Sequence, residues 1–460
     1  MPHMTMMGPR LNGAGHYDRA TGYGRLGFEI HAALRRAGVT DYGPIGVNEA
    51  VSEPEGVAPV AYWCSTPPHV VGWKEGQLAA LTTMWEFTTI PIGFRENLPE
   101  FHRLFVPSLQ NLELFSSFND DVRYIPLAVG PEWHYEPRTD PEPRFNFLTG
   151  GAGPRKGCAD VIRAFDRVFR DWRPCRGPEP WLTVRAASIF KADVDRGPLA
   201  TGRVIALPDL TGGPRRVTYL RKSLTAEAEL QLYRDSHCFV SGSKGEGWGF
   251  MPHQAIAQGM PTILGNHSGH AAFASYGIPI DAPLATPEIH THWGEGGQEW
   301  KPDFDQMCEA MREVYLGYEP HKFLAREEAY LIADEFSWDK TAALVIENLP
   351  ELANPDLSPD GPWHTMPQRL YEVRVKQHQT WAVNGIHATY DPGHTYWLPW
   401  ADKLRIAEMG DLTPDCVNPR EVGIDARMQP PDTSPDRCVH CWQRFGSDTS
   451  TLPENLIGAR

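Results

Sequence analysis

The chain has 460 residues, 41% apolar and 22% charged, with a formal net charge of −15. That length exceeds one hydrophobic core and calls for two or three domains. The acidic balance argues against nucleic acid and anionic membrane surfaces as partners, and no stretch approaches 18 apolar residues, so no membrane span is expected.

The opening MPHMTMMGPRLNGAG lacks an apolar signal region, and Cys64, Cys158, Cys238 and Cys308, four of eight cysteines, sit in apolar runs. Together these predict reduced thiols and a cytoplasmic protein. From about residue 20 to 350, strand-like and helix-like segments alternate. GYGRLGFEIHAALRRAGV (22–39) predicts a glycine turn and then a helix, with Leu26, Ile30, Ala33, Leu34 and Ala37 at helical spacing and Gly38 at its end. Buried strands are expected at VAPVAYWC (57–64), LTTMWEF (81–87), RLFVPS (103–108) and VRYIPLAVG (122–130). The Pro-rich EPRTDPEPR (136–144) reads as a linker.

A second series follows. FNFLTG (145–150) predicts a strand, GAGPRKG (151–157) a glycine loop and CADVIRAFDRVFRDW (158–172) an amphipathic helix. WLTVRAA (181–187), GRVIALP (202–208) and HCFVSGS (237–243) predict strands, and TAEAELQLYRDS (225–236) a helix capped by Thr225. Helices are expected at 303–318, 321–336 and 336–352. Such alternation makes parallel sheets with crossover helices. The expected fold is α/β, with Rossmann-like domains at 1–135 and 145–335 facing a cleft. After the linker ANPDLSPDGP, residues 366–415 alternate in β fashion, with turns at Asn384-Gly385 and Asp391-Pro392-Gly393 and a short helix at 400–410. This predicts a small C-terminal β-rich module, followed by an irregular tail at 416–460.

The chemistry concentrates in SKGEGWGFMPHQAIAQGMPT (243–262). A loop at the carboxyl end of a parallel strand lies at the ligand crevice. Gly245, Gly247 and Gly249 let backbone approach a ligand, and Glu246 can accept hydrogen bonds from sugar hydroxyls. Pro252 suits the first position of a helix whose free N–H groups favour phosphate or a polyol. Gln254, one turn on, faces the same mouth or lies on the helix surface. A glycine loop before Lys156 suits phosphate, whereas Arg155 reads equally as a solvated cation. Gly22 and Gly24 make a ligand-approaching turn or a plain one.

His69 and Glu86 end N-terminal strands and face the cleft, as acceptor contacts, as a base, or as packed structural groups. His253 reads as polarity at a helix start, and His267 and His270 as loop residues near the ligand. Cys438 and Cys441, with Cys416 and either His440 or His394, form a candidate structural zinc set without a second complete CxxC pair. The acidic DVD at 193–195 lies in a connection between strands and is set aside.

The motif resembles the donor site of retaining, glycogen-synthase-like GT-B glycosyltransferases, family GT4, commonly E-G-F/W-G-x-x-x-x-E-A. The match runs through Glu246, Gly247, Trp248, Gly249, Pro252, Ala255, Gly259 and Pro261. In that family the first glutamate contacts the transferred sugar and the second binds the ribose diol. The second position here is Gln254, an amide that cannot give the diol two charge-assisted bonds, a loss of about 1–2 kcal/mol. GAGPRKG is similar to the family's phosphate loop, with Lys156 at the lysine position. Gly151 stands where the family has arginine, so Arg155 is the substitute cation. GYGRLG resembles the N-terminal glycine loop, VPS (106–108) and IPLAVG (125–130) the domain joint, and FSW (336–338) the start of a helix, 336–352, that crosses back to the N-terminal domain.

The resemblance covers roughly 20–350 and implies a GT-B hexosyltransferase with a nucleoside-diphosphate sugar as donor. The donor sits in the second domain, against Gly22, Gly24, Gly245, Gly247, Trp248, Gly249 and Gln254. A protein or glycan acceptor enters from the first. Lys156, Arg155 and helix N-termini stabilise the leaving diphosphate without a metal, Glu246 orients the sugar, and the anomeric configuration is retained. No cofactor is expected beyond the tail's candidate zinc. The C-terminal hairpin pattern resembles modules of phage structural proteins, which suggests a phage-encoded enzyme acting in the host cytoplasm. The competing readings are a hydrolase or phosphorylase on the same scaffold, a non-catalytic sugar-nucleotide-binding protein with Gln254 marking a decayed site, and a DNA-modifying glucosyltransferase.

Overall fold

The computed structural model describes residues 3–8, 22–46, 59–67, 70, 72–74, 76–137, 144–151, 153–185, 216–220, 224–285, 289–291, 294–353 and five short strands between 363 and 399. The first half runs β1 (His3–Gly8), α1 (Gly22–Arg36), β2 (Thr40–Gly46), β3 (Val60–Cys64), β4 (Gly72–Lys74), β5 (Leu78–Thr82), α2 (Ile92–Arg95), β6 (Arg103–Val106), α3 (Leu109–Ser116) and β7 (Val122–Tyr124). Six of these strands pair in parallel in the order β2-β1-β3-β5-β6-β7. Every residue of β3 is buried, as a parallel strand covered on both faces requires.

The second half runs β8 (Arg144–Gly150), α4 (Cys158–Phe169), β9 (Glu179–Arg185), β10 (Val217–Leu220), α5 (Ala226–Arg234), β11 (Cys238–Val240), α6 (Phe250–Ala257), β12 (Thr262–Gly265) and β13 (Ile278–Ile280). They form another parallel sheet, in the order β10-β9-β8-β11-β12-β13. A hairpin, β14 (Ile289–Thr291) and β15 (Gly294–Gly297), leads to α7 (Phe304–Leu316), α8 (Tyr318–Glu335) and α9 (Trp338–Glu347).

The last helix returns to the first half. Trp338, Ala342 and Val345 share one buried cluster with Leu26, Ile30, Ala33 and Leu34 of α1 and with Tyr62 of β3. Thr341 Oγ1 donates to the Pro126 carbonyl at 2.9 Å. Thr225 caps α5 as expected, its side chain accepting from Ala228 N at 3.2 Å.

Several boundaries differ from the sequence expectations. α1 begins at Gly22, so Gly22 and Gly24 are helical rather than a turn, and Ala37 lies past the helix end and is exposed. The expected strand 81–87 stops at Thr82, because both backbone groups of Trp85 are satisfied by the side chain of Asn111 instead of a ladder (2.9 and 2.8 Å). Only Val122–Tyr124 of 122–130 is strand. Pro126 has no N–H to offer a ladder, yet Ile125, Leu127, Ala128 and Val129 are still buried. α6 starts at Phe250, not Pro252; Pro252 remains in the first turn, where a missing N–H leaves no intrahelical bond unmade. β1, β2 and β10 had not been expected. The segment GRVIALP (202–208) lies outside the described residues.

Past residue 353, β16 (Trp363–Thr365) pairs antiparallel with β4. β17 (Leu370–Arg374) pairs with β20 (Thr395–Pro399), and β18 (Gln379–Val383) with β19 (Ile386–Tyr390); the expected Asn384-Gly385 turn lies outside the described residues. The helix at 400–410, the tail 416–460 and the zinc candidates Cys416, Cys438, Cys441, His440 and His394 lie outside the described residues, as does His69. Among the described residues no group of three or more His, Cys, Asp or Glu is arranged to hold a metal. No described helix is long and apolar enough to cross a membrane.

Candidate functional site

Gly150 ends β8 at the carboxyl edge of the second sheet. The chain then turns through Gly151, Gly153, a 3-10 turn at Pro154–Lys156 and Gly157, the three glycines shaping a tight loop before α4. Gly157 has φ +61, and a Cβ there would collide with the Gly242 carbonyl at the end of β11. The phosphate-loop candidate is thus pressed against the loop that carries Glu246. Gly157→Ala is expected to cost about 2–3 kcal/mol, from overpacking against backbone and a strained φ. A thermal melt checks it; an unchanged midpoint would mean the two loops do not depend on that contact.

The pressing brings together residues 90 positions apart. Glu246, only 7% exposed, accepts from Lys156 Nζ at 2.5 Å and from Ser243 Oγ at 2.7 Å on one oxygen. Its other oxygen accepts from Arg155 Nη1 at 3.3 Å. Arg155 also donates to the Gly245 carbonyl and reaches Glu86 of the first half at 3.4 Å. Burial alone would raise the Glu246 carboxyl, but Lys156 and then Arg155 outweigh it and hold it well below the usual carboxylate range. Burial draws the Lys156 ammonium down against the pull of Glu246. The Arg155 guanidinium is raised, because Glu86 and Glu246 more than offset its burial. The cluster is a pair of cations facing a pair of carboxylates, one from each half.

Beneath it lies a second tier. Ser268 Oγ accepts from the Glu246 N–H at 3.0 Å. Ser268 is the only described non-glycine residue with positive φ, at +46. His267 bonds Ser268 Oγ through Nδ1 and the Ser243 carbonyl through Nε2, each at 2.9 Å. His267 is therefore a buried support of the Glu246 loop, and His270 lies buried beside it, its ring 5.3 Å from that of His267. His253 is buried too, accepting from Trp248 Nε1 at 3.0 Å and stacking on Phe273; it does not provide polarity at the helix start.

The remaining candidates are placed differently from the sequence reading. A Cβ on Gly245 would meet the Glu86 carbonyl, and one on Gly247 the Met84 side chain. These glycines let the second half close on the first, which is a different reason from contact with a ligand. Trp248 is buried among His253, Phe273 and Phe336. Gln254 is 1% exposed, and its Oε1 accepts from the Tyr233 hydroxyl at 3.4 Å rather than facing an open mouth. Gly22 is exposed and Gly24 buried within α1.

Sequence reasoning missed Ser243 and Ser268, since a lone loop serine reads the same whether it holds a carboxylate or faces water. It also missed the buried Glu229, which pairs with Arg25 of the first half at 3.0 Å and with Arg185, at the end of β9, at 2.9 Å. The acidic residue sits in the first turn of the predicted helix 225–236, where a carboxylate ordinarily needs no partner.

No curated sequence matches the chain. Solved structures share its fold. Sucrose-phosphate synthase from Thermosynechococcus elongatus superposes on 77% of this chain and 99% of its own at TM-score 0.55 and 14% identity. Anabaena HepE, in complex with UDP and glucose, covers 76% of this chain and 100% of its own at TM-score 0.54 and 10% identity. The α,α-trehalose 6-phosphate synthase of Burkholderia multivorans covers 77% and 97% at TM-score 0.52 and 10% identity. At these identities the likeness is one of fold, two parallel sheets with helices in the GT-B arrangement. Residues 110–345, just over half of the chain, match the family model GT4-conflict, described as family 4 glycosyltransferase in conflict systems. With its GT-B fold and that match, the chain belongs to the family 4 glycosyltransferases of conflict systems.

Proposed function

We propose that this glycosyltransferase moves a hexose from a nucleoside-diphosphate sugar to an acceptor hydroxyl with retention of configuration. The observation that carries the reading is the buried Glu246 held by Lys156 and Arg155 at the edge of the second sheet. Two cations that share a carboxylate can exchange it for a diphosphate. As the bond between the anomeric carbon and the diphosphate oxygen breaks, the acceptor oxygen bonds to that carbon on the same face and its proton passes to the departing diphosphate oxygen; charge grows on the leaving group, and Lys156 and Arg155 compensate it. Glu246, released from them, turns its oxygens to the sugar hydroxyls and faces the positive charge at the anomeric centre. Residues 145–335 hold the donor, 1–135 take a protein or glycan acceptor, and 336–352 tie the two together. Glu86, across the cleft from Arg155, accepts a hydrogen bond from the incoming hydroxyl.

A second reading has one observation in its favour. Gln254, the family's diol position, is buried against Tyr233, which suits a protein that binds a sugar nucleotide without turning it over. Nucleoside-diphosphate release over a panel of nucleotide sugars separates the two. Release from one donor is the expected result. A donor that raises the melting temperature without release would favour the second reading.

A further inference from the structure

Residues 296–300 carry contacts that the transfer reaction does not by itself require. Thr88 N donates to the Gln298 carbonyl at 3.3 Å and Thr89 N to the Gly296 carbonyl at 3.0 Å. Gln298 N donates in turn to Thr88 Oγ1 at 2.7 Å. The second half thereby adds a short stretch of backbone to a loop of the first half, two residues from Glu86. Gly297, between these bonds, has φ +76, and a Cβ on it would collide with Thr88 Oγ1 and Thr89 Oγ1. Only glycine allows so close an approach.

The next residues run directly to the site. Glu299 pairs with Lys244 at 3.2 Å, and Trp300 N donates to the Lys244 carbonyl at 2.8 Å. Lys244 N donates to the Arg155 carbonyl at 2.8 Å. The Trp300 ring stacks on His267 at 5.3 Å and 14°, the imidazole that bonds Ser243 and Ser268. The contacts form a ring: Thr88–Thr89, Gly296–Trp300, His267 with Lys244, Glu246 with Arg155, and back through Glu86.

We propose that Gly296–Trp300 is a clasp that couples closure of the two halves to the posture of Glu246, with Trp300 as a positioning residue. The Glu86–Arg155 pair is partly exposed, at 29% and 26%, and long at 3.4 Å, so it contributes little to closure by itself. Two backbone bonds at Thr88 and Thr89 and a third from Gln298 N to the Thr88 hydroxyl bring the halves together. Trp300 transmits the closed position to the Glu246 loop by fixing the plane of His267. This builds on the proposed transferase reading but predicts a physical coupling that exists without substrate.

Hydrogen–deuterium exchange on the full chain tests it, with peptides covering 84–90 and 243–246 as readouts and β8–β9 as the internal control. In the wild type the Thr88 and Thr89 amides are protected. Gly297→Val is expected to speed exchange at both readouts by about tenfold or more, with β8–β9 unchanged. Thr88→Val, which removes one hydroxyl acceptor and keeps the fold, gives a smaller change in the same direction. Trp300→Leu speeds 243–246 alone, and Trp300→Phe, which keeps a ring over His267, restores it. With a donor that turns over, Trp300→Leu lowers kcat and leaves the donor KM within about twofold. Unprotected Thr88 and Thr89 amides in the wild type would overturn the clasp, as would wild-type exchange at 84–90 in Gly297→Val. Wild-type exchange at 243–246 in Trp300→Leu would overturn the positioning role. If no donor turns over, the transferase reading fails while the exchange pattern still decides the clasp.

Discussion

Glu246→Gln is expected to lower sugar-transfer turnover by roughly 100-fold or more while nucleoside-diphosphate affinity stays the same or rises. The amide keeps the shape of the carboxylate and can still accept from Ser243. It loses the negative charge that faces the anomeric centre, and with it the transition-state contribution. The opposite sign for affinity follows from the geometry. In the wild type a diphosphate must displace Glu246 from Lys156 and Arg155; in the variant that competitor is neutral. The free variant also leaves the half-buried Lys156 without its counter-charge, which destabilises it. Its melting temperature should therefore drop without ligand and recover when diphosphate is added. Steady-state kinetics beside titration calorimetry reads both signs. Turnover within threefold of wild type would remove Glu246 from the chemistry.

The second large effect is on stability against pH. His253, His267 and His270 are all buried, and burial pushes them down to about 3, about 4 and about 3. For His267 the Ser243 carbonyl and Glu246 oppose burial; for His270 its neighbour His267 adds to it. An unfolded histidine titrates near 6.5. The folded rings stay neutral where the unfolded chain takes up protons, so their contribution is fully present above about pH 6.5 and lost as pH falls toward the folded values. Between pH 6.5 and 5 the three rings together cost about 5 kcal/mol. Below the ordinary carboxylate range Glu246 adds to the loss, since its folded carboxyl is depressed as well. The melting temperature should fall steeply from pH 7 to 5. His270→Phe, whose ring nitrogens have no hydrogen-bond partner among the described residues, should flatten that slope by about a third. A flat profile in the wild type would mean the three imidazoles reach solvent.

The parts of the fold legible in the sequence were those with strong periodicity. The alternation after FNFLTG predicted β8, α4, β9, α5 and β11 closely. Among the strands that escaped notice, HMTMMG is rich in methionine, TDYGPIG carries proline and glycine, and VTYL is short, as are β4, β13 and the hairpin β14–β15. LTTMWEF reads as a strand because its residues are apolar, yet Asn111 replaces the ladder at Trp85, an effect of a side chain 26 residues away.

The site was legible as residues but less so as roles. Glu246, Lys156 and Arg155 were named from glycine context, and the fold does bring them together. Trp248, which carries the family pattern, and Gln254, which departs from it, both lie buried, where sequence pattern gives no measure of access. The glycines at 245 and 247 answer to the approach of the other half, a tertiary cause that no local reading contains. GEGGQEW drew no reading from the sequence, since its partners Thr88 and Thr89 lie some 200 residues earlier in the chain.

The central claim is that Lys156 and Arg155 form a diphosphate site now balanced by carboxylates. Titration calorimetry of UDP, GDP and ADP into the wild type and into an Arg155→Ala, Lys156→Ala double variant tests it most directly. One nucleoside diphosphate should bind the wild type, more weakly as salt rises, and the double variant should lose about 100-fold or more, the size expected for two charge-assisted contacts. Equal binding by both proteins, or no binding of any diphosphate to the wild type, would contradict the account.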